Sequence, residues 1–220
     1  MEYAVVTGAN RGIGLELCKL LKERGLNVIG TCRERSAELE ELKIAVVDGM
    51  DVNNSKSWNH LHDLLNMNSI SLLINNAGIL ANDTIESMNP DSIRQQFDTN
   101  ALAPLLLTLS LIPKMTSHSK IAMITSRMGS IADNSSGGYY GYRASKAALN
   151  AFGKSLAIDL KKKHIAIGLL HPGFVQTRMV GFNGDISPRV AATNILQRID
   201  QLNLENSGTF WHANGEELPW

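Results

Sequence analysis

The stretch Tyr3-Ala4-Val5-Val6-Thr7-Gly8-Ala9-Asn10-Arg11-Gly12-Ile13-Gly14 sets the architecture of the chain. Tyr3–Thr7 is a short apolar run and reads as a buried strand. Gly12–Arg24 then places Ile13, Leu17, Leu20 and Leu21 on one helical face, and Gly25 ends it. Between strand and helix lie Gly8, Gly12 and Gly14. Glycines permit a tight turn and let backbone N–H groups approach a diphosphate, to which a helix N-terminus adds partial positive charge. The spacing is not G-x-G-x-x-G, and no Gly-Lys-Ser/Thr follows, so this is not a Walker loop. The other reading is a glycine-rich turn without a ligand.

The same alternation continues outward. Strands are predicted over Asn27–Thr31, Ile44–Val47, Ser71–Ile74, Lys120–Thr125, Ile165–Leu170 and Thr209–His212. Helices are predicted over Ser57–Met67, from Pro90 onward, and over Tyr142–Leu160 and Pro188–Ile199. Short apolar strands separated by helices imply right-handed βαβ units. The fold expected is α/β, a Rossmann-type doubly wound, mostly parallel seven-stranded sheet with helices on both faces. Residues 1–220 are expected to form a single domain, with no linker or repeat.

Composition narrows the classes. Lys+Arg and Asp+Glu are 21 each, and zero net charge argues against a general nucleic-acid or anionic-membrane binder. The two cysteines, Cys18 and Cys32, lack CxxC spacing, which fits a reducing compartment. The apolar stretch Ala101–Pro113 is interrupted and too short to span a bilayer. With no basic, signal-like start, a cytoplasmic location is expected. No His/Cys/Asp cluster has metal-ligand spacing, so no metal site is expected.

In doubly wound sheets, ligands bind beyond the carboxyl ends of the strands. After the second strand comes Thr31-Cys32-Arg33-Glu34, with Cys32 where NAD sites usually place an acid. Arg33, with Arg11 from the loop, matches a 2′-phosphate and favours NADP(H) over NAD(H). Alternatively, Arg33 is a solvated charge paired with Glu34 or Glu38. Tyr142 and Lys146 are spaced i, i+4 on one predicted helical face. A phenol is too weak an acid or base at neutral pH unless shifted, and a nearby ammonium favours phenolate. The pair thus suits proton transfer to a carbonyl oxygen, although the same spacing also occurs on ordinary helix surfaces. Ser126 follows an apolar strand and is placed to hold that oxygen, with Thr125 and Ser130 as rivals. Pro104 takes the helix partner of the Asn100 carbonyl, which implies a kink and a bound water relaying protons to Lys146, or a bend made for packing.

Together these motifs resemble the short-chain dehydrogenase/reductase family over nearly the whole chain. Thr7-Gly8-x-x-x-Gly12-x-Gly14 resembles its cofactor loop, with Asn10, Arg11 and Ile13 inside it. Asp51-Val52 resembles its adenine-contacting pair, and Asn75-Asn76-Ala77-Gly78 its turn after the fourth strand. Asn100, Ser126, Tyr142 and Lys146 resemble its catalytic tetrad, and Pro172-Gly173-x-Val175-x-Thr177 the segment holding the nicotinamide carboxamide. Asn10-Arg11, Thr31-Cys32-Arg33 and the ending Glu217-Leu218-Pro219-Trp220 are similar to sniffer-type carbonyl reductases and bacterial C-factor-like proteins.

The resemblance implies hydride transfer from NADPH to a carbonyl carbon of a small aldehyde or ketone. In it Tyr142 is the general acid, Ser126 the oxygen ligand, Lys146 the group that lowers the Tyr142 pKa and holds the ribose, and Asn100 the support of the relay. The alternative is a nucleotide-binding signalling protein of C-factor type with little turnover. Relatives of this kind pair two helices across a two-fold axis, which implies a homodimer through residues 90–113 and 142–160. Three features depart from the pattern: the Ser126–Tyr142 interval is long, Arg127 stands where a small residue is commoner, and the segment after Thr177 is short. A flexible loop around Gly129 and Asn134–Gly138 is expected. So is a mobile lid carrying Gly181, Asn183 and Gly184, over an open, broadly tolerant pocket.

Overall fold

The structure, a computed structural model, describes residues 1–220. In chain order the elements are β1 (Glu2–Thr7), α1 (Gly12–Glu23), β2 (Asn27–Thr31), α2 (Ala37–Glu41), β3 (Ala45–Val47), α3 (Asn59–Leu64) and β4 (Ser69–Asn75). They continue with α4 (Pro90–Phe97), α5 (Ala103–Leu111), β5 (Met115–Ile124), α6 (Tyr140–Asp159), β6 (Ala166–His171), α7 (Pro188–Gln201) and β7 (Phe210–His212). The seven strands form one sheet in the order β3-β2-β1-β4-β5-β6-β7. Every strand pair is parallel, so the sheet is more uniform than the mostly parallel one expected. The order reverses between β1 and β4, and that switch point opens a crevice at the carboxyl ends.

Two cores cover the two faces. Alternate residues of a strand point to opposite sides, so Val5 joins one core and Val6 the other. Val5 packs with Leu61, Leu107, Leu149 and Leu156, under the helices from the middle of the chain. Val6 packs with Leu17, Leu21, Ile195 and Leu196, under α1 and α7.

Several boundaries move for local reasons. The helix predicted over Ser57–Met67 divides into a 3-10 turn, Ser55–Trp58, and the short α3, because the Asn54 side chain caps the turn by accepting from the Lys56 N–H. The sequence reading missed α2, whose first turn is capped by the Ser36 hydroxyl accepting from Leu39 N–H at 3.2 Å. β5 begins at Met115, but its regular pairing with β4 starts at Leu72–Lys120, where the predicted strand begins. The helix from Pro90 is not continuous. Residues Asp98–Leu102 form a π-helical turn in which Ala103 N–H donates to the Asp98 carbonyl. Pro104 lies just beyond it, so the irregularity expected from that proline is present as a widened turn.

Candidate active site

The glycine loop carries the first part of the site. Gly8 and Gly12 have φ of +67° and +56°, backbone that L side chains rarely adopt. A Cβ on Gly14 would lie 2.2 Å from the Gly8 carbonyl oxygen, so the loop closes only with glycine there. Thr7 Oγ1 accepts from both Asn76 and Ala77 N–H at 3.0 Å, and Asn76 Nδ2 donates to the Thr7 carbonyl at 2.9 Å. The β1 and β4 strand ends are thereby locked together across the crevice. Asn10 Nδ2 donates to the Glu34 carbonyl at 2.9 Å, which ties the loop to the end of β2. No side chain caps α1 and no acid stands in its first turn, so the N–H groups at this end face the crevice without a protein anion.

The exposed Arg33 and Arg11 stand on that side and form no ion pair, whereas the neighbouring Arg35 is held by Asp48 at 3.0 Å. The pairing of Arg33 with Glu34 or Glu38 is therefore not formed. Cys32 is buried, and burial pushes its thiol above the usual range. Asp51 and Val52 follow β3 half-buried, and Asp51 Oδ1 accepts from Asn53 N–H at 2.9 Å.

The second part lies across the sheet. Ser126, Tyr142, Pro172, Gly173, Val175, Thr177 and Ile13 all line one cavity of about 560 Å3. The long Ser126–Tyr142 interval is drawn in by close packing. A Cβ on Gly129 would lie 2.8 Å from the Lys146 backbone carbon, so Gly129 serves tight approach to α6 rather than the flexibility expected. The Ser126 hydroxyl accepts from Met128 N–H at 3.1 Å. Thr177 lies beside Gly12, its methyl 3.4 Å from where a Cβ would stand.

The segment after Thr177 is a short turn tied down by backbone bonds rather than the loose lid expected. Gln176 N–H donates to the Ile186 carbonyl at 2.9 Å and Asp185 N–H to Phe174 at 2.7 Å. Gly184 is there because a Cβ would meet the Val175–Gln176 backbone at 2.3 Å.

Lys146 and Asn100 stand behind the cavity wall. Asn100 is fully buried; its Oδ1 accepts from Ile79 N–H, and its Nδ2 donates to the Ile79 carbonyl, both at 2.8 Å. The same Nδ2 reaches Ser145 Oγ at 3.0 Å, which joins the π-helical turn to α6. A Cβ on Gly78 would meet Asn100 Oδ1 at 3.1 Å, so the β4 turn packs tightly on the Asn100 side chain.

Lys146 Nζ donates to the Ile124 carbonyl at 2.9 Å and lies 5.7 Å from the Tyr142 ring centroid. Burial lowers Lys146 to about 8. Burial also raises Tyr142 to about 12, against the opposing pull of a hydrogen bond with Ser126. In the protein alone, desolvation thus outweighs the depression expected from the ammonium, and Tyr142 holds its proton at neutral pH.

These values give one stability prediction. Lys146 is lowered on folding, so its burial penalty is present below about pH 8 and is relieved as pH rises towards the unfolded value near 10.5. The penalty at pH 7 is on the order of 3 kcal/mol. Urea melts of wild type and Lys146→Met should show wild type gaining on the variant between pH 7.5 and 10. A constant difference would place the lysine in water.

Sequence reasoning missed the partners of Arg127, which it noted only as a departure, and the pairing of His171 in the cavity wall with His212. Arg127 bridges to Asp133 through Nε at 2.5 Å and to Glu216 through Nη2 at 3.1 Å. This explains a large cation after Ser126: it ties the serine loop to the C-terminal tail. Ala132 N–H donates to the Trp220 carbonyl at 2.9 Å, and Trp220 packs on Phe210 within the same chain. His171 meets His212 edge to face at 4.8 Å, and burial, with His212 and Arg127 nearby, lowers it to about 3. Its position directly before Pro172 was the available signal.

No group of three or more His, Cys, Asp or Glu residues is placed to hold a metal ion, and no helix is long and apolar enough to cross a membrane.

Residues 2–185 match the family described as short chain dehydrogenase. A Rhodococcus sp. protein named 1-hydroxy-2-glutathionyl-2-methyl-3-butene dehydrogenase is 36% identical over 226 residues, covering 100% of both chains. The C-signal of Myxococcus xanthus is 39% identical over 154 residues, 69% of this chain and 93% of that one. Among solved structures, the carbonyl reductase Sniffer of D. melanogaster superposes with a TM-score of 0.92 at 30% identity, covering 100% of both chains. An NADPH-bound carbonyl reductase from chicken fatty liver gives 0.90 at 29% identity, over 99% of this chain and 98% of that one.

Proposed function

Because this chain belongs to the short-chain dehydrogenase family, we propose that it is an NADPH-dependent reductase of aldehydes or ketones. One observation carries the reading: Ser126 and Tyr142 share a cavity wall with Ile13 and the Pro172–Thr177 segment, at the end of the sheet where the glycine loop opens. The residues present fit a dinucleotide. The uncapped α1 N-terminus and the Gly8, Gly12 and Gly14 backbone suit the diphosphate, with Asn10 fixing the loop and Ile13 reaching the cavity. Arg11 and Arg33, free of carboxylates, suit a 2′-phosphate. Asp51-Val52 would contact the adenine, and the Asn76-Ala77-Gly78 turn after β4 lies against the glycine loop. Pro172, Gly173, Val175 and Thr177 flank the nicotinamide side.

When bound, the cofactor supplies a hydride. The chain's own groups do the rest. Ser126 Oγ donates to the carbonyl oxygen of the substrate and orients it. Tyr142, protonated at neutral pH, gives its phenolic proton to that oxygen as charge develops. Lys146, buried behind Tyr142, would hold the ribose when the cofactor is bound and would draw Tyr142 down towards the working range. Asn100 holds the β4 turn and the π-helical carbonyls from which a relay water would reach Lys146. The Rhodococcus relative, named as a dehydrogenase of a hydroxyl-bearing compound, accords with the same site run in the oxidative direction. A signalling protein needing only the nucleotide cradle would have no use for a buried lysine behind a buried tyrosine, so the enzyme reading is favoured.

The test is cofactor consumption with a panel of aldehydes, diketones and quinones. Turnover should be faster with NADPH than NADH, and Arg33→Glu should raise the NADPH KM by about tenfold while leaving the NADH KM nearly unchanged. Tight NADPH binding without turnover of any carbonyl would defeat the reductase reading.

The second part of the proposal is a homodimer. Leu106 and Leu109 on α5 are exposed, as is Phe97 at the end of α4, which packs edge to face on Phe152 of α6. An apolar helical face of this kind suits a second copy of the chain. Sedimentation at micromolar concentration should give a dimer, and Leu109→Glu a monomer. A wild-type monomer would remove the dimer from the proposal.

A further inference from the structure

Two arginines line the cavity, Arg127 and Arg143, and their surroundings differ. Arg127 is neutralised by Asp133 and Glu216. Arg143 is half-buried and has no acidic partner. Its Nε donates to the carbonyls of Gly137 and Gly138 at 3.3 and 3.2 Å, and its Nη2 to Ser136 Oγ at 2.8 Å. Both glycines have φ of +63°, which brings successive carbonyls to bear on one guanidinium edge. The loop therefore fixes the side chain without satisfying its charge. A guanidinium has five N–H donors. Nε and one Nη2 hydrogen are engaged, which leaves three facing no protein acceptor.

The other ionisable groups in the wall do not compete. Asp133 is occupied by Arg127, and His171 is kept neutral by burial. Met128, Phe174, Met179 and Val180 supply apolar surface. The cavity of about 560 Å3 would also take the nicotinamide end of the cofactor, and still exceeds what that ring and a carbonyl group occupy. The wall thus offers, in one space, a proton donor at Tyr142, an apolar body and a held cation one residue further along the helix.

We propose that Arg143 is a specificity-determining residue that binds a carboxylate on the substrate, away from the reacting carbonyl. The preferred substrates are then aldehydes or ketones with an apolar middle and an anionic end. Three free donors suffice for a bidentate carboxylate, and the loop has already restricted the side chain that makes them.

The proposal rests on the reductase reading, and the test separates the two. The probes are 3-(4-formylphenyl)propanoate and its methyl ester, in which two methylene groups insulate the aldehyde from the charge. Wild type should favour the acid by about tenfold in kcat/KM, with most of the difference in KM. Arg143→Gln should bring the ratio close to one, and Arg143→Lys should keep part of it. Ser136→Ala, which loosens the loop but keeps the cation, should preserve the preference. Because each variant is read as a ratio, a general loss of activity does not mimic the effect.

Turnover of both probes with no preference in wild type, or a preference unchanged in Arg143→Gln, overturns the carboxylate site and leaves the reductase reading standing. If neither probe nor any other carbonyl is turned over, the reductase reading fails. Calorimetry with 3-(4-formylphenyl)propanoate then decides the site: about tenfold weaker binding to Arg143→Gln supports it, and equal or absent binding overturns it.

Discussion

Tyr142→Phe is expected to lower carbonyl reduction by about a thousandfold, the usual worth of a positioned general acid. The phenol is buried and holds its proton up to about pH 12 in the protein alone, so at neutral pH it is a donor and not a base. Phenylalanine fills the same space and removes only the hydroxyl. The fold should therefore survive, and NADPH affinity should change by less than about tenfold, the worth of one hydrogen bond. Stopped-flow reduction and NADPH fluorescence titration on the same preparation separate the two effects. A variant that binds NADPH and still reduces carbonyls within tenfold of wild type would assign the proton to another group, and Ser126 would be the first to examine.

Gly14→Ala is expected to be the most damaging single-methyl change at the site. The added carbon would lie 2.2 Å from the Gly8 carbonyl oxygen and 2.6 Å from Asn76 Nδ2. Neither can retreat easily. The Gly8 carbonyl belongs to the loop itself, and Asn76 Nδ2 is spent on the Thr7 carbonyl at 2.9 Å. Relief requires the β1 and β4 strand ends to part, at a cost of about 1–3 kcal/mol for overpacking. The same movement opens the proposed diphosphate cradle, so NADPH affinity should fall by about a hundredfold or more. Gly25→Ala is the control. Gly25 has φ of +80° but nothing within 4 Å of an added Cβ. It should cost about 1–2 kcal/mol through its left-handed backbone and leave NADPH binding alone. Urea melts and NADPH titrations of the pair check both halves. Equal NADPH binding by the two variants would show that the cradle does not depend on the Gly8–Gly14 approach.

Much of this was legible in residue order. Strand boundaries such as Asn27–Thr31 were readable because a strand buried on both faces must be apolar throughout. Helix ends at Gly25 and Pro188 were readable because glycine and proline act through their own backbones. α2 was missed because five residues are too few to show a helical period. The break at Asp98–Leu102 was sensed from Pro104, but a π-helical turn was not distinguished from a kink, because both accommodate a carbonyl left without its N–H donor.

The site divides in the same way. Local pattern and motif order sufficed to pick out the glycine loop, Ser126, Tyr142 and Lys146, and these do meet at one end of the sheet. The direction of the Tyr142 shift was not legible, since spacing reports a neighbouring ammonium but not the depth of burial that outweighs it. Arg127 looked like an anomaly until Asp133 and Glu216, the latter 89 residues away in the chain, were found beside it. Gly129 and Gly184 looked like sources of looseness, and each proved to be a point of close contact. Residue order thus established the βαβ winding, the strand ends that border the crevice and the chemical groups available there, because these depend on backbone preference and near neighbours. Only the folded chain decided which charges are paired, which protons are held and which arginine is left free, because those depend on distances between groups that lie far apart in the sequence.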